Sequence, residues 1–202
     1  THAHPDHAGA AASLARAWRA PIFVHPAELA IAQGDFDAMR ACAGPLDRWL
    51  ILPLLRAMGR RRREALLERS SLRGLVRPLE GNGVIEDVPA WRWVHTPGHT
   101  PGHISLVRDE DRVALTGDAM VTLRVNSVAG VLLGSPGLSG PPRYTTWSWG
   151  RAKASLRVLA DLEPTVVGGG HGQPLTGPDT AALVRAFART AAPSDPPEAD
   201  RR

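Results

Sequence analysis

The sequence predicts an α/β domain, and three observations carry that prediction. Stretches with apolar residues at helical spacing alternate with short runs of valine, isoleucine and tryptophan that read as strands. Histidine, aspartate and glycine gather where several of those short runs end. A chain of 202 residues that is 43% hydrophobic can bury one core of ordinary size, so we expect one domain over residues 1–192. Residues 193–202, charged and rich in proline, are expected to be a disordered tail.

Residues 8–19, alanine-rich with Leu14 and Trp18 four apart, read as a helix that begins just after His7 and is ended by Pro21. Residues 22–24 read as a short buried strand, and a short helix follows Pro26 until Gly34 stops it. Leu46, Leu50, Leu54 and Met58 recur at helical spacing, with a kink expected at Pro53. A second, polar helix runs through Arg60 to Arg63 as far as about Arg69. The first of this pair is apolar around most of its circumference and so is expected to bury itself.

Beyond it the character changes to strands: Trp91, Trp93 and Val94, then residues 104–107, then 113–116. Residues 125–144, rich in Gly, Ser and Pro, read as a long loop lying over another part of the molecule. A helix over 152–162, a strand over 165–167 and a last helix over 179–190 complete the pattern, with no repeat and no internal boundary.

Composition excludes more than it selects. The formal net charge of +4 rests on arginine, Lys153 being the lone lysine, which reads as compositional bias rather than as a surface for nucleic acid. Cys42 is alone, so neither an internal disulfide nor a cysteine metal cluster can form. No apolar run reaches the length of a membrane span, so we expect a soluble, cytoplasmic chain without stable membrane insertion. The chain opens at Thr1 inside a histidine motif. Such loops hang from strand ends, so we expect strands upstream.

In Thr1-His2-Ala3-His4-Pro5-Asp6-His7, an extended backbone points residues two apart the same way, so His2 and His4 can serve one cation. Asp6 and His7, just past Pro5, can turn toward a second position nearby. Thr96-Pro97-Gly98-His99-Thr100-Pro101-Gly102-His103 is two turns, each ending in histidine, and spacing alone does not choose between His99 and His103. Asp118 follows the strand end Leu115-Thr116-Gly117, where an aspartate by itself is most often a turn former. His171 ends the loop Gly168-Gly169-Gly170, whose glycines allow close approach to a crowded centre. Together these loops supply nitrogen and oxygen donors without thiolates, the set expected for two borderline or hard divalent ions. His25 and His95 read as packing residues, Trp147 and Trp149 as side chains packed on the helix that follows, and Tyr144 as an exposed loop residue.

In these motifs and their order the chain resembles the metallo-β-lactamase superfamily, in particular its glyoxalase-II-like members. The resemblance implies a four-layer αβ/βα sandwich, here with a helical insertion at about 45–70 and with the opening strands of the first sheet missing before Thr1. It also implies that His2, His4 and His99 hold one metal, that Asp6, His7 and His171 hold the other, and that Asp118 bridges them. His103 and Thr100 then stand behind the ligands. The insertion is either a helical pair packed on the sandwich or a cover that meets an apolar or acyl substrate, with Arg60 to Arg63 near an anionic head.

Two divalent ions, zinc by donor type, would activate a bridging hydroxide against an ester, thioester or lactone-type bond, with Asp6 orienting it and taking its proton. The substrate is then a small molecule, acyl-bearing in the sharper version, with no residue yet assigned to bind it. Rival activities are a mononuclear iron dioxygenase of the persulfide type, a metal-dependent phosphodiesterase or nuclease, and an inactive ligand-binding relative. The full Asp6, His7 and His171 set argues against the first, and the absence of a separate basic arm against the second.

Overall fold

A computed structural model of the chain describes residues 1–81, 83–85 and 87–191; the expected tail over 193–202 lies outside them. The first helical stretch differs from expectation. Helix α1 (Pro5–Ala8) already begins at the proline, because a fixed φ and a missing N–H suit the first turn, and it includes Asp6 and His7. Helix α2 (Ala11–Trp18) follows separately and ends at Arg19, whose φ is 51°.

Strand β1 (Ile22–Val24) is part-exposed rather than buried. A 3-10 turn, Pro26–Glu28, leads into α3 (Leu29–Ala32), and Gly34 at φ 79° ends it as expected. Helix α4 (Phe36–Ala41), which periodicity did not reveal, is capped by Asp35, whose carboxylate accepts from the N–H groups of Asp37 and Ala38 at 2.9 Å each.

The apolar pair is then met: a π-helical turn, Asp47–Ile51, passes into α5 (Leu52–Ala57) with Pro53 in its first turn, and α6 (Arg60–Ser70) follows. The expected burial of this stretch is not found. Leu52 and Leu55 are buried, but Trp49 is 81% and Leu54 64% exposed, with Leu50 beside them also exposed. The helix is short and packs through one side, so most of its apolar circumference meets no other element.

Strand β2 (Val76–Pro78) runs parallel to β1, Ile22 opposite Val76. Strands β3 (Arg92–His95), β4 (Ile104–Arg108) and β5 (Val113–Gly117) follow as expected. The stretch read as one long loop is instead partly regular: β6 (Val121–Leu123) pairs antiparallel with β7 (Pro136–Ser139), around α7 (Val128–Leu132). Helix α8 (Trp149–Asp161), β8 (Val166–Gly169), β9 (Leu175–Thr176) and α9 (Thr180–Ala191) complete the described chain.

The main sheet has the order β3-β4-β5-β8-β9, antiparallel except for the β5–β8 pair. Met120, Leu156, Val167 and Val184, all fully buried, join α8 and α9 to it. Burying such a side chain stabilises by about 1.5–3 kcal/mol, an upper estimate. A second cluster of Ala32, Leu72 and Val76 packs with Ala8, Ala12 and Ile22, placing helices over the β1–β2 pair. Helices thus cover the main sheet and the β1–β2 pair in an α/β sandwich. Among the described residues no helix is long and apolar enough to cross a membrane.

Candidate metal centre

Four segments converge at the ends of β3, β5 and β8. The extended N-terminal segment lies against the start of β4, Thr1 O accepting from the Ile104 N–H at 3.0 Å. His4, at φ −67° and ψ 148°, ends that segment and α1 turns Asp6 and His7 toward the same space. The parallel neighbours β5 and β8 deliver Asp118 and His171 from their ends.

The donor atoms form overlapping groups, each within 4.8 Å: His2, His4 and His99; His2, His7 and Asp118; Asp6, His7 and His171. Asp118 lies among them. Its Oδ1 is 3.2 Å from His7 Nε2, and its Oδ2 is 3.4 Å from His99 Nε2 and 3.5 Å from His171 Nε2. On the other side, His99 Nε2 is 2.9 Å from His4 Nδ1. Asp6 Oδ2 stands 3.5 Å from His171 Nε2 and 3.7 Å from His7 Nε2 at the exposed rim. All seven residues named as candidate ligands are therefore gathered in one cluster.

Electrostatics keep the cluster open to a cation. Burial pushes the His99 pKa down to about 3, with His4 adding to the effect, and burial likewise lowers His2, whose ring faces four other imidazoles. These rings are neutral with lone pairs available. The facing Asp118 carboxylate raises His7. Burial alone would raise Asp118, but His7, His99 and His171 together outweigh it and hold the carboxyl below its ordinary value. His2 Nε2, His7 Nε2 and Asp118 Oδ1 are buried yet make no well-directed hydrogen bond to protein. Burying such atoms unpartnered costs about 1–3 kcal/mol each, and nitrogen and carboxylate donors without sulfur suit divalent cations of the zinc or iron kind. The residues present fit a metal pair.

Hydrogen bonding separates the two histidines that spacing left equivalent. His103 is fully buried; its Nε2 accepts from the Asp118 N–H at 3.1 Å and its Nδ1 meets Thr96 Oγ1 at 2.9 Å. Both nitrogens are committed, so His103 positions the Asp118 backbone. For His99, the Thr146 hydroxyl donates to Pro142 O at 2.7 Å and so can only accept from Nδ1, at 3.4 Å, which leaves the Nε2 lone pair facing the cluster.

Thr100 leads to a residue that sequence reasoning missed. Glu28, with no exposure, takes Ala3 N–H on Oε1 at 2.9 Å, and Thr100 Oγ1–H and Gly102 N–H on Oε2 at 2.9 and 3.0 Å. One buried carboxylate thus ties the His2–His4 segment to the His99 turn. Its only local signal is a glutamate just after a strand, which solvated glutamates share. At Gly170 an added Cβ would lie 2.2 Å from Asp118 Oδ1 and 2.6 Å from His7 Cε1, so only glycine admits this approach.

The remaining aromatic residues lie elsewhere. His25 stacks on His95 with centroids 4.0 Å apart, and His95 Nε2 meets Pro101 O at 2.9 Å. Tyr144 is half-exposed and offers its backbone oxygen to Leu46 N–H at 2.7 Å. Trp147 and Trp149 do not simply pack on the helix; they line a cavity with Trp49. Arg60 pairs with Glu64 and Arg63 lies over the Phe36 ring.

A sequence model of the metallo-beta-lactamase superfamily matches residues 1–171. "Probable metallo-hydrolase YflN" of Bacillus subtilis (strain 168) is 36% identical over 179 residues, 88% of this chain, and the chain spans 64% of that relative's length. Among solved structures, TTHA1623 in a di-iron-bound form is 27% identical with a TM-score of 0.52, over 91% of this chain and 71% of that one. The metallo-beta-lactamase family protein TTHA1429 from Thermus thermophilus, 24% identical with a TM-score of 0.58 over 94% of this chain and 58% of its own, shares the fold.

Proposed function

The chain belongs to the metallo-beta-lactamase superfamily, and from that premise we propose that it is a dinuclear-metal hydrolase of ester, thioester or lactone-type bonds in small molecules. One observation supports this above others: Asp118 reaches His99 from one donor group and His7 and His171 from the other, as a bridge between two cations must. In this reading His2, His4 and His99 hold one cation, Asp6, His7 and His171 the second, and Asp118 both. When bound, the pair supplies an acidified water as nucleophile and a Lewis acid for the scissile carbonyl. Asp6, with its side chain 56% exposed at the rim, orients the nucleophile and accepts its proton at Oδ2. His103 and Glu28 act from behind, holding the Asp118 backbone and the two histidine loops in place.

We assign zinc as the resident metal from the nitrogen and oxygen donor set. The di-iron form of TTHA1623 makes iron its specific competitor. Elemental analysis of the protein, alongside turnover of thioester, lactone and phosphodiester substrates with and without chelator, decides. About two zinc ions per chain with chelator-sensitive cleavage of a carbonyl substrate is the expected result. One iron without hydrolysis would point instead to a dioxygenase, phosphodiester cleavage alone to a nuclease, and no metal to a ligand-binding relative.

A further inference from the structure

Beside the candidate metal centre lies an open cleft of about 530 Å³, lined in part by Arg48, Trp49, Arg143, Thr146, Trp147 and Trp149. That volume falls in the range of small-molecule sites. Its two sides come from chain segments far apart in sequence, and backbone contacts hold them together. Leu46 N–H donates to Tyr144 O at 2.7 Å, and a Cβ on Gly44 would meet the Thr145 carbonyl carbon at 2.4 Å. The cavity also abuts the cluster: Thr146 Oγ1 touches His99 Nδ1 at 3.4 Å and Trp147 N–H donates to His99 O at 3.1 Å.

The lining has a specific chemistry. Three indoles line it, with the Arg143 guanidinium 5.1 Å from the Trp149 ring centroid and the Arg151 guanidinium 5.4 Å from that of Trp147. Arg48 donates to Ala43 O at 3.3 Å. Among the described residues neither Arg48 nor Arg143 has a carboxylate partner, a state they share with other surface arginines, but these two line one cleft beside His99. A guanidinium held over the Trp149 ring and a second one, Arg48, on the same lining without a carboxylate partner suit a ligand that brings its own negative group.

We propose that this cavity is the substrate pocket, and that the substrate has an apolar aryl or acyl body carrying a carboxylate. Arg48 and Arg143 hold the carboxylate, and Trp49, Trp147 and Trp149 hold the body beside His99. The identification as a substrate pocket rests on the hydrolase reading above; the ligand chemistry rests on the cavity alone.

The test compares naphthalene-2-carboxylate with naphthalene-2-carboxamide, two probes of one shape that differ in charge. Binding is followed by calorimetry and by quenching of tryptophan fluorescence. The protein is expected to prefer the carboxylate by about tenfold or more, and the Arg48→Gln/Arg143→Gln variant to lose that preference. Both arginines are solvent-exposed, so the variant keeps its fold, which circular dichroism and metal content verify. Trp49→Phe should diminish the quenching. Equal binding of the two probes, or a preference unchanged in the double variant, overturns the proposal. The same comparison in turnover, between an aryl ester bearing a carboxylate and its carboxamide counterpart, separates the two ideas. Arginine-dependent binding without any hydrolysis supports this ligand chemistry and removes the hydrolase reading; hydrolysis that ignores the carboxylate does the reverse.

Discussion

Asp118 faces His7, His99 and His171 at 3.2 to 3.5 Å, so exchanging it for Asn alters the charge in contact with both donor groups while keeping the shape. Asp118→Asn is expected to lower hydrolysis at least on the order of 100-fold and to reduce metal content, read by elemental analysis of the purified variant. Glu28 tests a different kind of dependence. Glu28→Ala leaves Ala3 N–H, Gly102 N–H and the Thr100 hydroxyl without their acceptor, at a cost of about 3–5 kcal/mol in urea unfolding. Metal affinity should fall about 10- to 100-fold in the same variant, because the two histidine loops lose their shared anchor. A stability close to the parent's would mean that water replaces the carboxylate.

The stretch from the π-helical turn through α5 separates apolar residues that pack from those that do not. Leu52 and Leu55 are buried, so Leu52→Ala and Leu55→Ala should each cost about 2–4 kcal/mol. Leu50 and Leu54 are 57% and 64% exposed, and replacing either with Gln should change stability by no more than about 0.5 kcal/mol. Urea titrations of the four variants check the contrast. Equal losses at all four positions would show that the stretch buries its whole circumference, as its composition alone suggested. Strand β7 makes the complementary point, since Pro-Gly-Leu-Ser has little strand propensity and is held extended by pairing with β6.

For the whole molecule, the donor cluster joins parts of the chain that pack in separate cores. One core ties α8 and α9 to the main sheet, and the other lies under α2, α3 and the β1–β2 pair. Cations bound by both the N-terminal segment and the ends of β5 and β8 would therefore stabilise the joint. At a free concentration 100 times the dissociation constant, one bound cation adds about 2.7 kcal/mol, equivalent to about 5–10 °C in a chain of this size. Chelator is expected to lower Tm by that order in differential scanning calorimetry, and added zinc to restore it. An unchanged Tm would show that the two cores hold together without metal.

The residues gathered in the donor cluster were legible because ligand chemistry constrains residue type and local spacing: the His2-Ala3-His4-Pro5-Asp6-His7 run, Asp118 after a strand and His171 after glycines stand out with no knowledge of contacts. The α/β class was legible for the same reason, since helical and strand periodicities are local. Residue spacing left His99 and His103 equivalent and only the family resemblance chose between them; tertiary structure supplied a physical difference, in which nitrogens Thr96, Thr146 and the Asp118 N–H have already engaged. It alone revealed Glu28 as a buried tie and set Arg48 and Trp49 beside Arg143 and Trp149. These roles arise from burial and from contacts between segments distant in the chain, and neither leaves a periodic trace in the sequence.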